Sequence, residues 1–120
     1  MKLAITSTGD SLTAEMDPRF GRAAFFLIVD PDTMEFQVVE NAQSLNLPQG
    51  AGIQAGKTII NQHADVLITG NCGPKAFQVL TQAGIEIKIG ASGRVDAVIE
   101  EFKRGELKSS GEANVEGHWV

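Results

Sequence analysis

Residues 64–83 read Ala-Asp-Val-Leu-Ile-Thr-Gly-Asn-Cys-Gly-Pro-Lys-Ala-Phe-Gln-Val-Leu-Thr-Gln-Ala, an apolar run, a turn and a helical pattern in direct succession. Val66, Leu67 and Ile68, with two β-branched members, predict a short strand covered on both faces. Thr69-Gly70-Asn71-Cys72-Gly73 ends it with turn residues, and Pro74 suits the first helical position, where its missing N–H is not needed. Ala76, Val79, Leu80 and Ala83 recur at helical spacing, and Gly84 stops the helix. The unit places Cys72, the chain's one cysteine, at a strand's carboxyl end beside the positive end of a helix. Ligand sites in open α/β sheets gather there.

Upstream, Leu3-Ala4-Ile5 opens a first strand, followed by a long polar loop to Arg22 that contains Met16-Asp17-Pro18-Arg19-Phe20-Gly21-Arg22. Ala24 to Val29 is a second strand, apolar on both faces. After the turn Asp30-Pro31-Asp32-Thr33, residues 35–40 alternate, with Phe36 and Val38 on one face and Gln37 and Val39 on the other, as in a hairpin partner near an edge. Asn41 to Gln49 is a polar connection. Gly50-Ala51-Gly52 begins a helix reaching about His63, in which Gly52, Gly56 and Ile60 form one line that lets it lie close to the sheet.

Downstream, Ile85-Glu86-Ile87-Lys88-Ile89 alternates as an edge strand should. Ser92 is placed to cap a last helix, whose Val95, Val98, Ile99 and Phe102 line one face before Gly105. Residues 1–107 make one domain, and 108–120, with His118 and Trp119, read as a flexible tail. Continuous apolar strands belong in the middle of a sheet and alternating ones at its edges. The predicted fold is therefore a three-layer α/β/α sandwich on a five-stranded mixed sheet of order 3-2-1-4-5. Its second strand is antiparallel, and the topology is ribonuclease H-like. Right-handed crossovers put the first two helices on one face and the third, with Phe102 buried, on the other.

The totals narrow the function. A chain of 120 residues with 42% hydrophobic content is one globular domain, and a net charge of -5 argues against a general nucleic-acid or membrane surface. One cysteine makes no internal disulfide, no stretch has the length of a signal peptide or a membrane span, and a cytoplasmic protein is the default.

Several chemical readings fail on spacing. Residues 51–58, Ala-Gly-Ile-Gln-Ala-Gly-Lys-Thr, match a relaxed phosphate loop, but no buried strand feeds them and the match runs through helix. Two-metal nuclease chemistry needs converging acids, and the fourth strand ends in Asn71 and Cys72 instead. Cys72 as a nucleophile lacks a base, since His63 belongs at the opposite end of that strand. Two readings of Cys72 stay open: a buried small hydrophobe, or a thiolate lowered in pKa by the helix end. Arg19 and Arg22 flank the loop that reaches the same edge, and Lys75 adds charge from the helix.

Arg19-Phe20-Gly21-Arg22, Gly50-Ala51-Gly52, Gly70-Asn71-Cys72-Gly73-Pro74-Lys75-Ala76, Ala83-Gly84-Ile85 and Phe102-Lys103-Arg104-Gly105-Glu106-Leu107 occur here in order. Together they make the chain, from Met1 to about Leu107, resemble the dinitrogenase iron-molybdenum cofactor biosynthesis family of small accessory proteins. The resemblance implies the ribonuclease H-like fold and a role in binding iron-sulfur precursors of the iron-molybdenum cofactor without catalysis. Nitrogenase accessory members often carry His where this chain has Arg19, and a guanidinium cannot ligate iron as an imidazole does.

From these residues and that resemblance we expect a non-enzymatic carrier of an anionic iron-sulfur or iron-molybdenum cluster precursor, passed between donor and acceptor proteins. Cys72 is then the metal ligand, with Arg19, Gly50, Gly52, Asn71, Gly73 and Lys75 around the cargo. Nucleic acid and membrane are not expected partners, and the chain is a monomer or weak homo-oligomer. The alternative is a metal-free regulatory module that binds a small molecule or nucleotide.

Overall fold

A computed structural model describes residues 1–41 and 50–109. Strands β1 (Leu3–Ser7), β2 (Phe25–Val29) and β3 (Phe36–Glu40) come first. They are followed by α1 (Ala51–Asn61), β4 (Val66–Ile68), α2 (Pro74–Gln82), β5 (Glu86–Lys88) and α3 (Val95–Lys103). The strands form one five-stranded sheet in the order β3-β2-β1-β4-β5. β2 is antiparallel to β1 and β3, while β4 is parallel to β1 and β5. This is the predicted topology, and it follows from the apolar pattern: every residue of β1 and β4 is buried, whereas β3 is largely exposed.

The alternation of side chains divides the core in two. Ala4, Phe26, Ile28, Leu67 and Ile87 face Ala55 and Ile59 of α1 and Ala76 and Leu80 of α2. Leu3, Ile5, Leu27, Val29, Val66 and Ile68 face Val95, Val98 and Ile99 of α3. The helices thus cover opposite faces as right-handed crossovers require. Each fully buried Leu, Ile or Phe contributes about 1.5–3 kcal/mol of transfer free energy, so both layers are needed.

Three local expectations are corrected. Ser92 is exposed and caps nothing; α3 starts at Val95 behind Arg94 in extended conformation. Gly93, at φ 104°, turns the chain just ahead of the helix and delays its start. Gly56, in the small-residue line of α1, meets α2 rather than the sheet: a Cβ added there would sit 3.4 Å from Val79 Cγ1. Phe102 lies on the predicted face but is half-buried at its rim, with Lys88 Nζ 5.9 Å from the ring centroid.

Pro74 does open α2, and Gly84 and Gly105, at φ 82° and 72°, follow the ends of α2 and α3. Of the presumed tail, Ser109 still bridges Lys88 of β5, while His118, Trp119 and most of the Asn41–Gln49 connection lie outside the described residues. Among the described residues no helix is long and apolar enough to cross a membrane.

Candidate functional site at the carboxyl edge

Because β1, β3, β4 and β5 all run one way, the turns leaving β1, β4 and β5 reach the same edge of the sheet. The helices α1, α2 and α3 start from that edge too. The loop after β1 first doubles back on its own strand, with Met16 bridging Ser7. There Asp17 N donates to Thr6 O at 3.0 Å and Met16 N to Gly93 O at 2.8 Å. It then crosses to the end of β4. Asn71 N donates to Pro18 O at 2.7 Å and Phe20 N to Asn71 O at 3.2 Å, so Arg19 and Asn71 lie side by side in a parallel bridge. The Asn71 side chain adds a bond from Nδ2 to Pro18 O at 3.2 Å.

Gly70 makes this approach possible. A Cβ there would lie 2.8 Å from both Cα and O of Pro18, closer than a packed carbon is found. Beneath the junction, the Thr6 hydroxyl donates to Asp17 O at 2.6 Å and shares a hydrogen bond with the Thr69 hydroxyl at 3.0 Å. Buried Asn41 donates through Nδ2 to Gly21 O at 3.1 Å and Ala23 O at 2.9 Å, tying down the far end of the loop.

Arg19 is therefore a positioned cation. The carboxylate of buried Asp17 accepts its backbone N–H at 3.0 Å and stands 3.7 Å from its Nε. The Arg19 side chain remains 52% exposed and reachable by an anion. Lys75 is exposed in the first turn of α2. Neither α1 nor α2 has a side-chain cap or an acidic residue in its first turn. Both helix starts thus keep the positive character that N-terminal N–H groups supply. Gly50, in left-handed conformation at φ 79°, is exposed at the start of α1, whereas Gly52 and Gly73 are buried. Arg22 is half-buried and engaged within the protein.

Cys72 departs from the thiolate expectation. Its side chain is fully enclosed, packed with Phe20, Ala76 and Leu80 in the α1–α2 layer, with Sγ 3.7 Å from Gly73 O. Burial pushes the thiol pKa from 9.0 up to about 12. The sulfur lies inside this layer, where loss of water disfavours the charged form. At neutral pH the thiol is therefore held in its protonated form. Among the described residues no group of three or more His, Cys, Asp or Glu side chains is arranged to hold a metal ion. The edge offers cationic and N–H donors to an anion, with its sulfur below the surface.

Sequence reasoning gathered the right loops but missed what joins them: Thr6, Thr69, Asp17, Gly70 and Asn41. Asp17 carried a signal, since an Asp two residues before an N–H commonly accepts from it. Gly70 carries no comparable local signal beyond its place in a turn.

Comparisons with known proteins agree with this architecture. The apo form of the orange protein from Desulfovibrio gigas superposes with a TM-score of 0.92 at 40% identity, over 95% of this chain and 96% of that one. A NifB-like protein of the DUF35 family from Thermotoga gives a TM-score of 0.82 at 30% identity, over 97% and 98% of the two chains. An uncharacterized protein of Methanocaldococcus jannaschii is 31% identical over 111 residues, 90% of each chain. The profile of one family, described as dinitrogenase iron-molybdenum cofactor, matches residues 1–105. The chain belongs to the dinitrogenase iron-molybdenum cofactor family.

Proposed function

We propose that the protein is a non-catalytic carrier of an anionic iron-sulfur or iron-molybdenum cofactor precursor, exchanged with donor and acceptor proteins. The observation that carries this reading is the cradle at the carboxyl edge. Arg19 is pinned beside Asn71 by main-chain bonds and held by Asp17, next to an uncapped helix start bearing Lys75. Such a cradle stabilises negative charge without asking for a covalent bond. Membership of the dinitrogenase iron-molybdenum cofactor family supports this chemical class for the cargo. A relative whose structure is of an apo form is consistent with a ligand that comes and goes.

In this reading Arg19, Lys75, Asn71 and the N–H groups near Gly50 and Gly73 contact the cargo. Cys72 serves the turn from below. Metal ligation by Cys72 would require the Gly70–Gly73 turn to open, and its raised pKa opposes that at neutral pH. Binding by charge makes release easy, which suits a carrier, and makes affinity fall with salt.

The test is anaerobic titration with isolated iron-molybdenum cofactor precursor, following its visible absorption and the iron retained after desalting. Saturable uptake that weakens with added salt, with the cluster recovered chemically unchanged, supports the carrier. No uptake, together with saturable binding of a metal-free anion such as a nucleotide, would favour the regulatory module instead.

A further inference from the structure

The two edges of the sheet differ in one respect that bears on assembly. β5 is three residues long, and the chain's own Ser109 bridges its Lys88 and donates a side-chain hydrogen bond to Glu86. β3 is five residues long, Phe-Gln-Val-Val-Glu, with no Lys, Pro or Gly to discourage pairing. Its ladder to β2 is bracketed by Asn41 N to Ala24 O at 3.1 Å and Asp30 N to Glu35 O at 2.9 Å. In the antiparallel register between them, Gln37 and Val39 exchange hydrogen bonds with β2. The backbone groups of Phe36, Val38 and Glu40 point away from the sheet, and among the described residues nothing pairs with them. Phe36 and Val38 are also 39% and 40% exposed, two of the three large exposed hydrophobic side chains among the described residues.

We propose that this edge pairs with a second copy of the chain, β3 against β3 and antiparallel, about a two-fold axis at Val38. That register sets Val38 against its symmetry mate and Phe36 against Glu40, so no like charges stand opposite one another. All three outward residues then enter narrow pairs, giving about six backbone hydrogen bonds. Other registers leave outward groups unmatched. One five-residue strand is small beside the ~1,200 Å² that stable complexes bury, and each copy carries a net charge of -5. The dimer is therefore weak and salt-assisted. Since β3 runs parallel to β1, the symmetry sends the two carboxyl edges to opposite ends of the joined sheet. Dimerisation leaves both open.

Amide exchange followed by NMR at about 20 μM and about 1 mM protein, in about 0.3 M salt to screen the net charge, tests this. The N–H groups of Phe36, Val38 and Glu40 should exchange at least roughly threefold more slowly at the higher concentration. Those of Gln37 and Val39 should be protected equally at both. Val38→Pro removes only an outward N–H and should abolish both the concentration dependence and the dimer seen by sedimentation. Val38→Lys, which keeps the backbone intact and sets two ammonium groups face to face, should do the same if the proline variant fails to fold. A monomer at the higher concentration would overturn the proposal. So would protection of all five groups at both concentrations, or a dimer that survives both variants.

Discussion

Cys72 sits where a strand hands over to a helix, yet the decisive quantity is how much water reaches its sulfur. A folded pKa near 12 against 9.0 for the ordinary thiol means that the native state favours the neutral form. That contribution is fully present below pH 9 and is lost as pH rises from 9 toward 12, at up to about 1.4 kcal/mol per pH unit. The chain has no tyrosine to titrate in the same window. Comparing denaturation of wild type and Cys72→Ala at pH 8 and pH 10.5 isolates the effect from lysine ionisation. The stability gap between them should narrow at the higher pH; an unchanged gap would mean the thiol is solvated. Gly70 makes the second residue-level prediction. Gly70→Ala forces a methyl group against the Pro18 backbone and should destabilise by about 1–3 kcal/mol, read as a lower denaturation midpoint. In the sequence both residues appear as parts of a turn. Burial of Cys72 is one of the two readings its sequence leaves open, whereas the approach of Pro18 to Gly70 is not a local property and was not legible there.

The elements were legible wherever one face had to be apolar. Uninterrupted Val66-Leu67-Ile68 and alternating Ile85–Ile89 separated inner from outer strands correctly, because burial on two faces and on one leave different patterns. The start of α3 was not legible, since Gly93 and the contact between its carbonyl and Met16 displace the helix from Ser92. Phe102 shows the same limit at the other end of α3: helical spacing gives its face but not how far the neighbouring layer extends. Half-buried over Lys88, Phe102→Ala should cost about 1–2 kcal/mol, whereas Phe26→Ala, fully enclosed beside Phe20, should cost about 3–5 kcal/mol. Chemical denaturation of the two variants checks this. Equal losses would place Phe102 in the core after all.

For the molecule as a whole, a net charge of -5 is compatible with the exposed cations Arg19 and Lys75 at the carboxyl edge, because charge is placed there locally. Three segments far apart in sequence meet at one edge: the first loop, the turn after β4 and the turn after β5. The sequence placed them there through strand order. It did not distinguish which side chains are exposed at that edge from which lie beneath it: Arg19 is exposed and Cys72 is buried. The proposed carrier role rests on charge. The measurement that decides it is iron retained after anaerobic loading with the cofactor precursor and desalting, compared across wild type, Arg19→Ala and Cys72→Ala. Wild type and Cys72→Ala should retain similar iron, and Arg19→Ala should retain at least about tenfold less, the equivalent of one charge-assisted contact. Retention that survives Arg19→Ala and is lost in a folded Cys72→Ala would contradict it.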